Sequence, residues 1–148
     1  MALGLYQEII RLLTNYVFLS FVISWIIVIL IKTFVKAYQR KRFSILAGLE
    51  TGGIPSSHST VVASLTTALF LSEGASALFI VCLVFSLIII SDSFTLRKSV
   101  GIQGDAINSF LTKSRKKPIK ISYGHTFGQV ILGILLGIAV SVMLYAII

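Results

Sequence analysis

The chain has 148 residues, of which 56% are hydrophobic and only 12% charged, and it carries a formal net charge of +8. With a mean hydropathy of +0.97 it lacks the polar surface to cover a water-soluble domain, so an integral membrane protein is expected. The single cysteine, Cys82, excludes an internal disulfide and a thiolate metal site and reads as a packing thiol.

Four uncharged stretches reach the length of roughly 18 residues or more with which an α-helix crosses a hydrocarbon core. They cover residues 12–31, 51–72, 74–91 and 121–148. Ahead of the first, Leu5, Ile9, Leu12 and Leu13 recur at helical spacing, and Glu8 stands where a cleaved signal would be basic. A short interfacial helix continuous with a retained first span is therefore expected. The second stretch opens on a Gly-Gly-Ile-Pro-Ser-Ser turn and is mostly apolar only over 60–71, which suits a short or tilted helix. Ile102, Ala106, Ile107, Phe110 and Leu111 alternate with Gln103, Asn108 and Ser109 as in an interfacial helix, which gives Asp105 a solvated place. The expected fold is an all-α integral membrane protein, a single domain over 1–148. It has about four transmembrane helices in an up-and-down bundle and a cytoplasmic-side interfacial helix.

Charge sets the orientation. Lys32, Lys36, Arg40, Lys41 and Arg42 fill the first connection, and Arg97, Lys98, Lys113, Arg115, Lys116, Lys117 and Lys120 the third, whereas the second, around 71–76, has neither Lys nor Arg. The positive-inside rule then places the first and third connections in the cytoplasm and both termini outside, with the plasma membrane of a prokaryote as the expected location. The run at 113–120 chiefly fixes orientation and meets anionic headgroups; without interleaved aromatics it does not suggest a nucleic-acid partner. This topology brings the starts of the second and fourth spans to one face, together with Lys32, Lys36, Asp92, Arg97 and Lys98.

Those two starts hold the only two histidines. Gly52-Gly53-Ile54-Pro55-Ser56-Ser57-His58-Ser59 combines glycines that allow close backbone approach, a proline that fixes φ, and serines that cap a helix or donate to phosphate. A helix N-terminus favours a bound anion, and an imidazole there can protonate a leaving alkoxide. His125, after Gly124, opens the last span in the same way and suits a nucleophile whose phosphoryl group is neutralised by Lys and Arg. A structural imidazole explains one such histidine well and two at matching helix starts poorly.

These residues, with Ser91-Asp92-Ser93-Phe94-Thr95-Leu96-Arg97-Lys98, Gly101, Gln103, Asn108 and Gly124-His125-Thr126, resemble the divergent branch of the type 2 phosphatidic acid phosphatase family, within a superfamily that includes vanadium-dependent haloperoxidases. The resemblance covers roughly residues 32–137. It implies a cofactor-free, metal-independent phosphomonoesterase working through phosphohistidine. His58 then resembles the general acid, His125 the nucleophile, Ser56 and Ser57 with Gly53 the phosphate cradle, and Lys32 and Arg97 the phosphate-binding cations. Two positions depart from the mainstream pattern. No Arg-Pro pair follows Lys32, and Gln129 stands one turn after His125 where a carboxylate is usual. Gln129 can still orient the ring through its carbonyl, and Asp92 is the expected substitute carboxylate.

Gly124-x-x-x-Gly128 and Gly133-x-x-x-Gly137 give the last span small-residue faces for packing within the bundle, and a homo-oligomeric contact through them is left open. Trp25 reads as core or lipid-facing. The expected activity is removal of a phosphate monoester from a phospholipid precursor of the phosphatidylglycerol phosphate or phosphatidate type, at the cytoplasmic face. The alternative is a catalytically weak or inactive relative that binds lipid phosphate or serves as a membrane assembly partner.

Overall fold

The computed structural model describes residues 2–50, 52–119, 121 and 123–148. Thr51, the expected start of the second span, and Lys120, in the basic run, lie outside the described residues. Helices account for the regular structure: α1 (Ala2–Thr14), α2 (Tyr16–Arg40), α3 (Ile45–Leu49), α4 (Ser57–Glu73), α5 (Ala77–Phe94), α6 (Leu96–Lys113) and α7 (Phe127–Ile147). Among the described residues, three stretches are long and apolar enough to cross a membrane: α2, the α5–α6 stretch Ala77–Lys113 and α7.

The boundaries differ from the expected ones for local reasons. α1 does not run on into α2, because Asn15 adopts an extended conformation and its side chain caps α2 by accepting from the Phe18 N–H. At its other end α2 continues through Lys32, Lys36 and Arg40, which were expected in a connection. The heads of Lys32 and Lys36 find acceptors on Glu50, which lets these long side chains lie buried. α4 starts only at Ser57, and α7 only at Phe127 under a Thr126–Gln129 capping box.

The interior is built from small residues. Leu78, Ile80, Val84, Phe85, Leu87 and Ile88 on α5 point outward, while Ser20, Ser24, Ser59, Thr60, Ser64 and Ser141 are buried. This inversion of a soluble core is what a lipid solvent selects, since lipid takes the large apolar side chains and close helix packing needs small ones. α4 occupies the centre and packs against α2, α5 and α7. Its low apolar content follows from that position. The Ser64 hydroxyl lies 2.9 Å from Ser141 Oγ and donates to the Ser20 carbonyl at 2.9 Å, and Thr66 Oγ1 meets Ser86 Oγ at 2.7 Å.

Gly133 and Gly137 let α7 lie directly on α4. A Cβ on Gly133 would come within 2.6 Å of the Ser56 carbonyl, and one on Gly137 would collide with the Thr60 carbonyl. That glycine face is thus used inside the bundle. Gly137→Ala is expected to destabilise by about 1–3 kcal/mol through overpacking. Gly128→Ala, whose Cβ would meet open space, is expected to leave stability unchanged or slightly raised. Thermal unfolding in detergent checks the pair.

Candidate active site

The phosphate-cradle segment folds as a turn that only glycine permits at two positions, with φ of +79° at Gly52 and +94° at Gly53. The chain then enters α4 through Ser56. This serine is fully buried; its Oγ lies 3.4 Å from the Ser59 N–H and 3.0 Å from Ser59 Oγ, and its own N–H donates to the Gln129 carbonyl at 3.1 Å. Ser56 therefore caps α4 and ties it to α7. The neighbouring Ser57 lines a cavity of about 110 Å3 together with Lys32, His58, Arg97 and His125.

Each partner reaches this cavity from a different element. Lys32, 4% exposed on α2, donates to the Glu50 carbonyl at 2.9 Å and to Ser57 Oγ at 3.3 Å. Arg97 lies in the first turn of α6, after the break at Thr95, and its guanidinium meets His58 Nε2 at 3.0 Å. Guanidinium only donates, so His58 Nε2 accepts here and the ring is neutral with its proton on Nδ1.

His125 precedes α7 and is 7% exposed. Its N–H donates to the Ser93 carbonyl at 3.1 Å, which fixes it to the end of α5. Gly124 makes that approach possible, since a Cβ there would stand 3.0 Å from both the Ser93 carbonyl and the Lys98 nitrogen. Gln129 Oε1 lies 3.2 Å from the donating Thr126 N–H and 3.1 Å from His125 Nδ1. The backbone donor settles which amide atom is oxygen, so Nδ1 must carry the ring proton and Nε2 keeps a lone pair. Burial pushes the His125 imidazole below its ordinary value, opposed by the Gln129 hydrogen bond and the Gly53 carbonyl and reinforced by Lys32 and Arg97. A neutral imidazole with its lone pair on Nε2, beside two cations, can attack a phosphorus atom.

The remaining candidates take other places. Gly53 lines a second cavity of about 220 Å3 with Lys32, Lys36 and Gln129. Asp92, expected as the carboxylate for His125, sits exposed on the last turn of α5 and lines a cavity with His58, Ser93 and Arg97. His125 Nδ1 donates to Gln129 Oε1 instead. Asp105 accepts from the Tyr123 hydroxyl at 2.7 Å, and Asn108 exchanges two hydrogen bonds with the Ile119 backbone. Together they fasten the segment before His125 to α6. Among the described residues no three of His, Cys, Asp and Glu gather as a metal site requires.

Glu50 was not anticipated. Its carboxylate accepts two hydrogen bonds from Arg40, at 2.7 and 3.0 Å, and one from Lys36 at 3.2 Å, which hold its pKa down to about 2. The signal was present, since Glu50 is the lone acid between Glu8 and Glu73 and follows cations spaced by four residues at Lys32, Lys36 and Arg40. Its carboxylate engages Lys36 and Arg40, whereas Lys32 meets only its backbone carbonyl.

The profile of the divergent PAP2 family matches residues 13–140. The uncharacterized membrane protein YuiD of Bacillus subtilis (strain 168) is 30% identical over 152 residues, covering 90% of this chain and 96% of that protein. No solved structure matches significantly.

Proposed function

Because this chain belongs to the divergent PAP2 family, we propose that it is a membrane phosphatase that removes a phosphate monoester from a lipid through a phosphohistidine on His125. The observation that carries this reading is the pairing on one cavity of a neutral His125 with its lone pair on Nε2 and a His58 whose Nε2 faces a guanidinium. In the first step His125 Nε2 attacks phosphorus, the bond to the ester oxygen breaks, and protonated His58 gives its proton to the departing alkoxide. Lys32 and Arg97 offset charge on the equatorial oxygens, and Ser57 donates to one of them. An incoming phosphate draws Arg97 away from His58 Nε2, which frees that nitrogen to take up the proton it needs. In the second step His58, now neutral, accepts a proton from water, the water oxygen attacks phosphorus, and inorganic phosphate leaves while His125 is restored.

Gln129 takes the usual place of a carboxylate. It fixes the tautomer and the ring direction of His125 but adds no charge to stabilise the imidazolium. Asp92, beside His58 and Arg97, supplies a carboxylate on the opposite side of the site. α4, at 17 residues, is about 25 Å long at 1.5 Å per residue, and we read it as the fourth crossing, shielded by its neighbours. The site then lies at the cytoplasmic face with α6 at headgroup level, where the exposed Leu96, Val100, Ile102, Ile107 and Phe110 meet lipid. Phosphatidylglycerol phosphate and phosphatidate suit that sidedness.

The test is phosphate release by purified protein in chelator from a panel of lipid phosphates. Turnover supports the reading, and a well-folded protein that binds phosphate without releasing it from any ester contradicts it. The pH profile adds a signed expectation. His125 must be neutral to attack and is held below the ordinary imidazole value of 6.5, so the acidic limb of kcat/KM should lie below that value, while the alkaline limb reports loss of the proton that His58 donates. An acidic limb above 6.5 would contradict it. Stability has the same sign: the contribution of His125 is complete above 6.5 and declines as pH falls through the depressed folded value.

A further inference from the structure

In the proposed reaction the ester oxygen departs on the side of the acid, His58, so whatever lies beyond His58 receives the leaving group. An apolar groove of about 290 Å3 lies there, lined by Phe21, Trp25, Val61, Val62 and Ile89 and sharing Trp25, Ser57 and His58 with the phosphate-sized cavity. α4 forms its floor. α2 and α5 both pack on α4 but do not meet each other among the described residues, so the groove opens sideways where lipid surrounds the bundle. Its lining runs from Ser57 to Val62 on α4 and from Phe21 to Trp25 on α2, roughly 8 Å along the helices at 1.5 Å per residue, which suits a stretch of one hydrocarbon chain. Both walls are apolar, and Trp25 stands at the junction of the polar and apolar cavities.

Resting on the reading of His58 as acid and His125 as nucleophile, we propose that this groove is the leaving-group subsite, that it takes one linear hydrocarbon chain, and that Trp25 and the groove walls set chain selectivity. A second chain of a diacyl lipid stays in the bilayer, and carbons beyond the end of the groove contribute nothing to recognition.

Trp25 is the chain's only tryptophan, so its fluorescence reports on the groove without turnover. In nanodiscs, a bromine-tagged decyl phosphate should quench Trp25 saturably and be displaced by untagged decyl phosphate, whereas bromine-tagged decanol, which enters the bilayer equally, should quench weakly and without saturation. Val61→Phe fills the groove from its floor and Ile89→Phe from the α5 wall, and each should weaken the phosphate probe roughly tenfold, the worth of about two buried methylenes. In parallel, kcat/KM for alkyl phosphates should rise with each methylene until the groove is full and be level by decyl, with the decyl-to-butyl ratio reduced in both variants. Equal quenching by decanol, or a ratio that neither variant changes, overturns the subsite. Release from butyl and decyl phosphate at equal efficiency does so while leaving the phosphatase reading intact. Phosphate-dependent quenching with no release from any ester keeps the subsite and sinks the phosphatase reading.

Discussion

His125→Asn is expected to abolish phosphate release, lowering kcat on the order of 10⁴-fold or more, because removing a nucleophile eliminates the covalent route rather than weakening one contact. Asparagine keeps a polar group near Nδ1, so the Gln129 capping box and the tie from the residue 125 N–H to the Ser93 carbonyl can persist. Unfolding in detergent should then stay close to that of the parent protein. The measurement is initial rates in chelator beside a thermal melt. A variant that folds and still turns over at a tenth of the parental rate would remove His125 from the chemistry. A variant that fails to fold would leave the matter to His125→Gln, which reaches further into the same space.

Lys32 and Lys36 lie one helical turn apart and are both buried, yet they should respond very differently. Lys32 Nζ is held by the Glu50 carbonyl and Ser57 Oγ and borders the cavity with both histidines. Lys36 is paired with the Glu50 carboxylate. Removing a charge-stabilising donor from a phosphoryl-transfer site costs roughly 10²–10³ in kcat, which is the expected loss for Lys32→Met. Lys36→Met leaves Arg40 to hold Glu50 and should cost less than about tenfold, since the Lys36 ammonium offsets a carboxylate rather than the substrate. Equal losses for the two, read as kcat at saturating substrate, would mean that Glu50 fails to separate them and that the whole column of cations serves the phosphate.

Much of this arrangement was legible in the sequence because the two strongest signals are local. Charge-free length reveals the helices α2, α5 and α7, and the matched Gly-rich and Gly-His starts place His58 and His125 at one face. The centre of the bundle was harder to read. α4 carries serines and threonines that hydropathy penalises, although Ser64 finds Ser141 and the Ser20 carbonyl, and Thr66 finds Ser86, neighbours brought close only in three dimensions. Ser56 looked like a phosphate ligand and is a cap, because capping and anion binding ask for the same residue at the same place. Asp92 was drawn toward His125 by sharing its face of the membrane, but topology cannot tell which side of α5 a residue occupies. Glu50 went unread because its role depends on a turn returning to α2. Trp25 reads from the sequence as core or lipid-facing, because nothing local marks it as the wall between a polar and an apolar cavity.

The central claim is that phosphate passes through His125, and rapid acid- and alkali-quenched turnover with a labelled lipid phosphate tests it most directly. The account expects a base-stable, acid-labile phosphoryl adduct, mapped by mass spectrometry to His125 and absent from His125→Asn. Turnover with no such adduct, or with the label on another residue, would contradict it.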